Sequence, residues 1–538
     1  MDEMTLIKNG LVVDGTGRPA YPANVLIAGD RIADILPEGH QFSILNSQFS
    51  ILDASGCLVT PGFIDSHSHS DAYLLIEPDA PSKLSQGVTT EINGQCGGSV
   101  APRYGAARLS SDWASMTYPG GDGPGPTWRS LAEYRAIFEQ VRPAINTVQF
   151  IGHNTLRSSV IGYDAVRATP ETLRAMQDLL ARELDDGGWG LTTGLIYQPG
   201  KYSDSAEVVA LAKTAAARGG YYATHMRSEG DRILEAIDEV LDLVDATGIR
   251  AEISHLKTSG RANWGKIDAV LEKIQGAVDS GRLLGSDRYP YCAAGTDLDV
   301  VFPDWAGVGG CPAECERLAD SAVRARIVAE LDASSRDWAS VMVGGTWSDE
   351  TRPCSGRTIA EILSEDGRFA SPGELVCWIL ERDACRTGAF FFGMCEENLQ
   401  RIYERPWIVP GSDASLRAPW GPLGKDHPHP RAYGTMPRFY RLLTGREEGH
   451  ARIATREEAV ARMTSVPARR FGIKGRGVLE KGAFADVAVW REDAFRDVAA
   501  YDAPHAFCEG MEAVFVNGVL SCRAGRFLHA GAGRFLER

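Results

Sequence analysis

Residues 58–71 read LVTPGFIDSHSHSD. The apolar Phe63 and Ile64 begin a short strand-like run, FIDSH, that ends on His67 with His69 two residues beyond. Positions i and i+2 of a strand point to the same side, so His67 and His69 can reach one metal ion together. A histidine pair at a strand end is the signature of a site built on the rim of a sheet.

The same texture recurs along the middle of the chain. Candidate strands end at TTEINGQC (89–96), VQFIGH (148–153), GLTTGL (190–195), YYATH (221–225), AEISH (251–255), LLGSDRY (283–289) and WIVPGSD (407–413), which with FIDSH makes eight. Helical patterns lie between them. In ETLRAMQDLLARELDD, Leu173, Met176, Leu180 and Leu184 fall at helical spacing, and SAEVVALAKTAAAR starts behind a capping-type Ser205. Several repeats span roughly 30 residues, the length of one βα unit. Eight such units predict an α/β fold of the TIM-barrel type, (β/α)8.

Residues 4–59 read instead as short strands with turns at Asn9-Gly10, Asp14-Gly15 and Gly29-Asp30, and FADVAVW and MEAVFVNGVLSCRAGRF repeat that texture near the end. The expected organisation is a small β domain of sandwich type built from both termini (1–59 and 471–538) around a barrel (60–470). Two stretches break the rhythm. Residues 103–130 form a Gly/Pro-rich loop, and about 120 residues separate Tyr289 from Asp413, which predicts an inserted lid subdomain over about 293–400. QFSIL occurs at 41–45 and again at 48–52, and reads as a duplicated hairpin segment without function.

The chain has 538 residues, with 56 Lys+Arg against 71 Asp+Glu and a formal net charge of −15. That balance argues against nucleic acid and anionic membrane surfaces as partners, since both need a basic footprint. No basic n-region precedes an apolar run at the start, and no stretch of about 18 apolar residues follows, so the expectation is a cytoplasmic protein. The eleven cysteines, an odd number spread thinly, read as reduced thiols rather than a disulfide framework. Cys311, Cys315, Cys354, Cys377, Cys385 and Cys395 show no paired zinc-ligand spacing with histidines and read as structural.

A lone strand-end histidine is ordinarily a hydrogen-bonded core residue. Four of them, His67, His69, His225 and His255, in register with barrel strands point to a ligand set instead, because strand ends converge where barrel active sites lie. Asp413 ends the eighth candidate strand; alone, GSD would also read as a turn or cap. Imidazoles and a carboxylate together suit zinc or a similar divalent ion with a position left for water. Cys96, in Gly94-Gln95-Cys96-Gly97-Gly98, has three readings: a metal thiolate, a nucleophile on a strand-turn elbow, or a buried filler. Thiolate ligation fits best, since the histidines gather there and Gly98, Pro102 and Gly105 break up the helix that an elbow needs.

Taken together, LVTPGFIDSHSHSD, TTEINGQCGGSVAP, FIGHNTLR, GLIYQPGKYSD, ATHMRSEGD, ISHLK, YPY, GSDAS, HPHPRAYGTMPR, MTSVPARRFGI and VLEKGAFADVAVW resemble the D-aminoacylase (N-acyl-D-amino-acid deacylase) family of the amidohydrolase superfamily, in that family's order over nearly the whole chain. The resemblance implies zinc-dependent hydrolysis of an N-acyl-D-amino acid to a carboxylate and a D-amino acid. It implies that Cys96, His225 and His255 hold a tightly bound zinc, that His67, His69 and Asp413 form a second, weaker or vacant site, and that Asp413 is the catalytic acid/base. Lys257, Tyr289 and Arg431 match residues that bind the substrate's carboxylate and orient its carbonyl. Gly98 departs from the family's usual Phe, which touches the pocket wall.

Lys201 is the one lysine near the fourth strand, but it lies beyond it in a loop and reads as a solvated residue, not a bridging ligand. His153 reads as a pocket-lining or bracing residue outside the metal shell, and His427 and His429 as shaping the loop that presents Arg431. Three alternatives compete with the deacylase: a cyclic-amide amidohydrolase of hydantoinase or dihydroorotase type, a metal-free Cys96 thiol hydrolase, and a non-catalytic metal-binding relative.

Overall fold

The computed structural model describes residues 4–39, 49–109 and 127–538. Barrel strands stand at all eight expected places: Phe63–Asp65, Val88–Asn93, Asn146–Gln149 continued by Ile151–Gly152, Gly190–Gly194, Tyr221–His225, Arg250–Ile253, Leu284–Arg288 and Ile408–Pro410. Neighbours pair in parallel. The third strand breaks at Phe150, whose N–H donates to Asn93 O at 3.0 Å while Trp189 N–H donates to Gln149 O at 2.8 Å, so the ladder continues across the break. Ser66 N–H donates to Pro410 O at 3.3 Å and Asp413 N–H to His67 O at 2.8 Å, joining the last strand to the first. The ring of strands is closed, and the barrel has no free edge.

The helices bury one face each against this ring. In Pro170–Asp185, Met176, Leu179, Leu180 and Leu184 are buried, and Thr169 closes the start with a capping box. Burying each of these side chains contributes about 1.5–3 kcal/mol. Two local readings need correction. The helix Ser205–Ala216 is capped by Asp204, whose carboxylate accepts the Glu207 N–H at 2.9 Å, while Ser205 is already helical and its Oγ donates to Glu239. His153 does not end a strand: it opens the helix His153–Val160.

Strands from both ends of the chain form one nine-stranded sheet. The strand Leu58–Pro61 links the halves, pairing with Met4–Val12 on one side and Val487–Trp490 on the other, so the sheet runs two residues past the expected limit at 59. It curls until Ile32 N–H meets Ala483 O at 2.9 Å and Gly482 N–H meets Ile32 O at 2.8 Å. Ile7, Val25, Val487 and Phe515 share the apolar cluster enclosed by this closure. Phe49–Asp53, which overlaps the second QFSIL copy, pairs in parallel with Met4–Lys8, so it is not half of a hairpin; the first copy lies outside the described residues. The last residues leave the sheet, with Thr147 N–H donating to Arg534 O and Leu536 N–H to Thr147 O on the third barrel strand.

Between the seventh and eighth barrel strands stands a small unit with a three-stranded antiparallel sheet, Ala294–Asp297, Gly388–Phe391 and Val341–Val343. It has its own apolar cluster, including Leu318, Ile327, Leu331, Leu375 and Leu380. Most of the Gly/Pro-rich loop expected over 103–130, residues 110–126, lies outside the described residues. Among the described residues no helix is long and apolar enough to cross a membrane.

Candidate metal centre

The barrel geometry carries the six candidate donors to one end. His67 and His69 follow Phe63–Asp65, Cys96 follows Val88–Asn93, His225 closes Tyr221–His225, His255 follows Arg250–Ile253, and Asp413 follows Ile408–Pro410. Cys96 Sγ stands 3.4 Å from His67 Nε2 and 3.3 Å from His255 Nε2. With Asp413 these residues offer four donor atoms within 4.8 Å of one another, and His225, Glu229 and His255 form an adjoining set that shares His255. His69 joins through Asp413, its Nε2 lying 3.0 Å from Oδ1, while His67 Nε2 lies 3.3 Å from the same oxygen.

Three of these donors sit in the left-handed backbone region: Cys96 at φ 52°, His255 at φ 37° and Asp413 at φ 49°. Such a conformation costs an L-residue about 1–2 kcal/mol and persists only where the surroundings enforce it. Gly97, at φ 79°, continues the Cys96 turn where a Cβ would fall 2.5 Å from Asn154 Oδ1, and a Cβ on Gly194 would fall 2.0 Å from Cys96 O. The glycines flanking Cys96 therefore serve close approach of backbone, not a helix-entry elbow.

The electrostatics favour ligation. Burial pushes the Cys96 thiol up, but the neighbouring His67 and His255 outweigh it and hold the thiol well below its usual range, as a thiolate. Burial likewise works against ionised Asp413, and Arg431 and His255 overcome it. Both ring nitrogens of the buried His225 lack a hydrogen-bond partner among the described residues; the nearest carboxylate oxygen, Glu229 Oε2, is 3.5 Å away. A buried imidazole with two bare nitrogens, beside a thiolate and a second imidazole, fits a soft N/S-binding ion such as zinc.

Several partners were not evident in the sequence. Asp287, inside Leu284–Arg288, places Oδ2 3.2 Å from His67 Nδ1 and accepts the His255 N–H on Oδ1 at 2.9 Å. Glu229 lies 2.8 Å from His255 Nδ1 and is also ion-paired with Lys257. Lys83, 1% exposed, donates to Asp65 Oδ2, Ser68 Oγ and Ala414 O beneath the His67 and Asp413 loops. Only Asp287 carried a local signal, a charge within the strand Leu284–Arg288; Glu229 and Lys83 lie in polar stretches that give none.

The expected substrate residues separate. Arg431, at the start of helix Arg431–Thr444, pairs with Asp413 Oδ2 at 2.8 Å and reaches the cavity. Lys257 is buried against Glu229 and His255 Nδ1, and Tyr289 is fully buried with the Arg431 guanidinium 4.6 Å from its ring centre. Neither is among the residues that line the cavity, and the buried Tyr289 hydroxyl has no hydrogen-bond partner among the described residues. His429 Nδ1 accepts the Arg431 N–H at 3.0 Å, and Nε2 is 3.0 Å from Ala293 O, which fixes the Arg431 loop. Lys201 sits in the 3-10 turn Gly200–Tyr202 and not in an irregular loop, paired with Asp304 at the start of helix Asp304–Gly307, and His153 pairs with Glu207; neither belongs to the donor groups.

The donors open on a cavity of about 610 Å³, of the size that holds a small molecule. His69, Cys96, Tyr197, Trp347, Arg386 and Arg431 are among its lining residues.

A model of the amidohydrolase family matches residues 50–521. The N-acyl-D-glutamate deacylase of Alcaligenes xylosoxydans xylosoxydans is 36% identical to this chain over 534 residues, covering 98% of this chain and 96% of the relative. Among solved structures, an N-acyl-D-glutamate deacylase from Bordetella bronchiseptica, complexed with zinc and a phosphonate mimic of the tetrahedral intermediate, superimposes with TM-score 0.80 at 31% identity over 100% of both chains. A D-aminoacylase described by its binuclear metal centre, with one-metal activation and second-metal attenuation, gives TM-score 0.79 at 30% identity over 99% of both. With the family model spanning most of the chain and relatives matching it end to end, this chain belongs to the amidohydrolase family.

Proposed function

We propose that this chain is a zinc-dependent deacylase that hydrolyses the amide bond of N-acyl-D-amino acids. The observation that carries the reading is the meeting of His67, Cys96, His255 and Asp413, of which Cys96 and Asp413 line the cavity, with Arg431 on the second oxygen of Asp413. The relatives' names support the substrate class. We assign the tight site to Cys96, His225 and His255, and a second position to His67, His69 and Asp413. Held by these residues, a zinc ion would supply the Lewis acidity that makes water a nucleophile near neutral pH and polarises the scissile carbonyl.

The chain's own residues do the rest. Arg431 exchanges its ion pair with Asp413 for one with the substrate's α-carboxylate, for which its planar fork is suited. Asp413 Oδ2, released, takes a proton from the attacking water and returns it to the departing nitrogen, a general base becoming a general acid. With carboxylate and carbonyl both anchored, the side chain on Cα must point toward the open wall, and that wall reads handedness. Lys257 and Tyr289 assist in holding the substrate: Lys257 bridges Glu229 and the His255 ring, and Tyr289, packed against the Arg431 guanidinium with a buried, unpartnered hydroxyl, is suited to orient the scissile carbonyl.

We also propose an acidic side chain as the preferred substrate group. Arg386 lines the cavity, its guanidinium 4.7 Å from the Trp347 ring centre, and Arg108 lines it too. Gly98, exposed where the family usually carries Phe, leaves room, the nearest atom to a Cβ there being Gln95 O at 3.8 Å. The test of the reaction is Asp413→Asn with zinc content measured on the same sample. The expected result is retained zinc with turnover of N-acetyl-D-glutamate down by 10²-fold or more; undiminished turnover rejects the assignment.

A further inference from the structure

The cavity is walled from two opposite parts of the barrel ring. The strands pair in sequence around the ring, so the loops after Val88–Asn93 and Asn146–Gln149 stand across the mouth from the inserted unit that follows Leu284–Arg288. Gly295, Trp347 and Arg386 line the cavity from the inserted unit, and Gly98, Val100 and Tyr163 line it from the far side.

The direction of the substrate follows if the chain is the deacylase proposed above, and the inference rests on that reading. Arg431, which takes the α-carboxylate, stands on the inserted unit's side, its Nη2 donating to Gly295 O at 3.2 Å. An amide is planar and trans, so the acyl chain and Cα leave the C–N bond in opposite directions. With the carboxylate at Arg431 and the carbonyl at the donor atoms, the acyl chain is directed toward the loops after the second and third strands.

The wall it meets there has room and no free polar groups to offer. Gly98 is exposed, and a Cβ on it would meet nothing nearer than Gln95 O at 3.8 Å. Val100 and Tyr163 contribute hydrocarbon and ring surface. The hydroxyls on this side are already engaged: Ser99 Oγ donates to Ala101 O at 2.5 Å, Thr155 Oγ1 to Ser99 O at 3.4 Å, and Ser158 Oγ to Thr155 O at 3.1 Å. Ser99 Oγ and Thr155 Oγ1 also accept backbone N–H groups, both at 2.9 Å. Covering such a wall with hydrocarbon leaves no polar group unpaired. Arg108 is exposed here with its guanidinium 5.2 Å from the Tyr163 ring centre, which makes an acyl chain ending in a carboxylate the rival occupant. Asp71, which also lines the cavity, works against that second anion.

We propose that this side of the cavity is an acyl subsite for an apolar chain longer than acetyl, so that the favoured substrates are D-amino acids N-acylated by short fatty acids. Water cleaves them to the fatty carboxylate and the free D-amino acid. The cavity, about 610 Å³, is of a size that encloses a drug-sized molecule, and an acetyl group leaves this side of it unfilled.

The test is a chain-length series on the zinc-loaded enzyme: the N-acetyl, N-butanoyl, N-hexanoyl and N-succinyl derivatives of D-glutamate, and the same four of D-leucine. A buried methylene is worth about fourfold in binding. The expected result is a kcat/KM at least tenfold higher for N-hexanoyl than for N-acetyl on either amino acid. Gly98→Phe, which fills the opening, should bring that ratio near one, and Gly98→Ala should keep it. A wild-type enzyme that turns over N-acetyl substrates as well as N-hexanoyl ones overturns the subsite and leaves the deacylase reading standing. N-succinyl above N-hexanoyl overturns it in favour of an anion at Arg108, and a ratio untouched in folded Gly98→Phe protein overturns its location. No turnover of any member rejects the deacylase reading, and the subsite with it.

Discussion

Asp287 holds the His67 ring from behind, its Oδ2 3.2 Å from Nδ1, while Nε2 of the same ring faces Cys96 and Asp413. The carboxylate thereby selects which imidazole nitrogen is free for a metal, and its second oxygen fixes the His255 backbone. Asp287→Asn keeps the shape and an acceptor for the His255 N–H but loses the anionic acceptor for His67. Zinc affinity or activity should fall about 10- to 100-fold. Chelator competition measures it, and an unchanged affinity means that His67 needs no orienting partner.

Arg386 provides the test of side-chain preference. If the cavity wall reads an acidic group, Arg386→Met should lower kcat/KM for N-acetyl-D-glutamate by 10-fold or more and leave that for N-acetyl-D-leucine within a few-fold, since a charge-assisted hydrogen bond is worth about 1.5–3 kcal/mol. Steady-state kinetics on the two substrates decide it. Equal losses on both would assign Arg386 to the wall's architecture and not to recognition.

Lys83 is a stability prediction. Its ammonium is 2.8 Å from Asp65 Oδ2 and 3.5 Å from Glu91 Oε2, and all three side chains are at most 1% exposed. Lys83→Met leaves two buried carboxylates without their cation, a change that costs about 3–5 kcal/mol. The urea midpoint should drop clearly, and adding Asp65→Asn and Glu91→Gln should restore part of it. A single variant as stable as the parent would show that the buried charge is compensated elsewhere.

The pH dependence of stability has an identifiable contributor. Burial pushes the Glu183 carboxyl up from 4.5 to about 7, and the hydrogen bond it accepts from Leu131 N–H at 2.7 Å offsets only part of that. The folded state therefore holds this proton more tightly than the unfolded chain does. Its stabilising effect is complete below pH 4.5 and is lost as pH rises to about 7. The loss is on the order of 3 kcal/mol. Glu183→Gln should flatten the fall in apparent Tm over that window at one fixed scan rate; a slope identical to the parent's would assign the dependence to other groups.

Much of the barrel was legible because its cues are local. Apolar runs such as Val88–Asn93 and amphipathic stretches such as Ile233–Thr247 declare their period within a few residues, and strand ends announce themselves by His67, His225 and His255. Leu284–Arg288 was legible as a strand but not as a source of site residues, since Asp287 and Arg288 become intelligible only when the barrel interior surrounds them. The cap at Asp204 was missed by one residue because Asp and Ser carry the same signal.

By itself the sequence determined the repeating βα pattern, the β character of the two ends, and the supply of imidazole, thiol and carboxylate at strand termini. Tertiary structure alone decided which of these meet. Cys96 and His255 lie 159 residues apart in the chain and 3.3 Å apart in space, and His67 meets Asp413 only because the last barrel strand closes on the first. Left-handed turns at Cys96, His255 and Asp413 and the bracing by Asp287 have the same origin. Each depends on distances set by strand closure and packing, which no local pattern of residue types encodes.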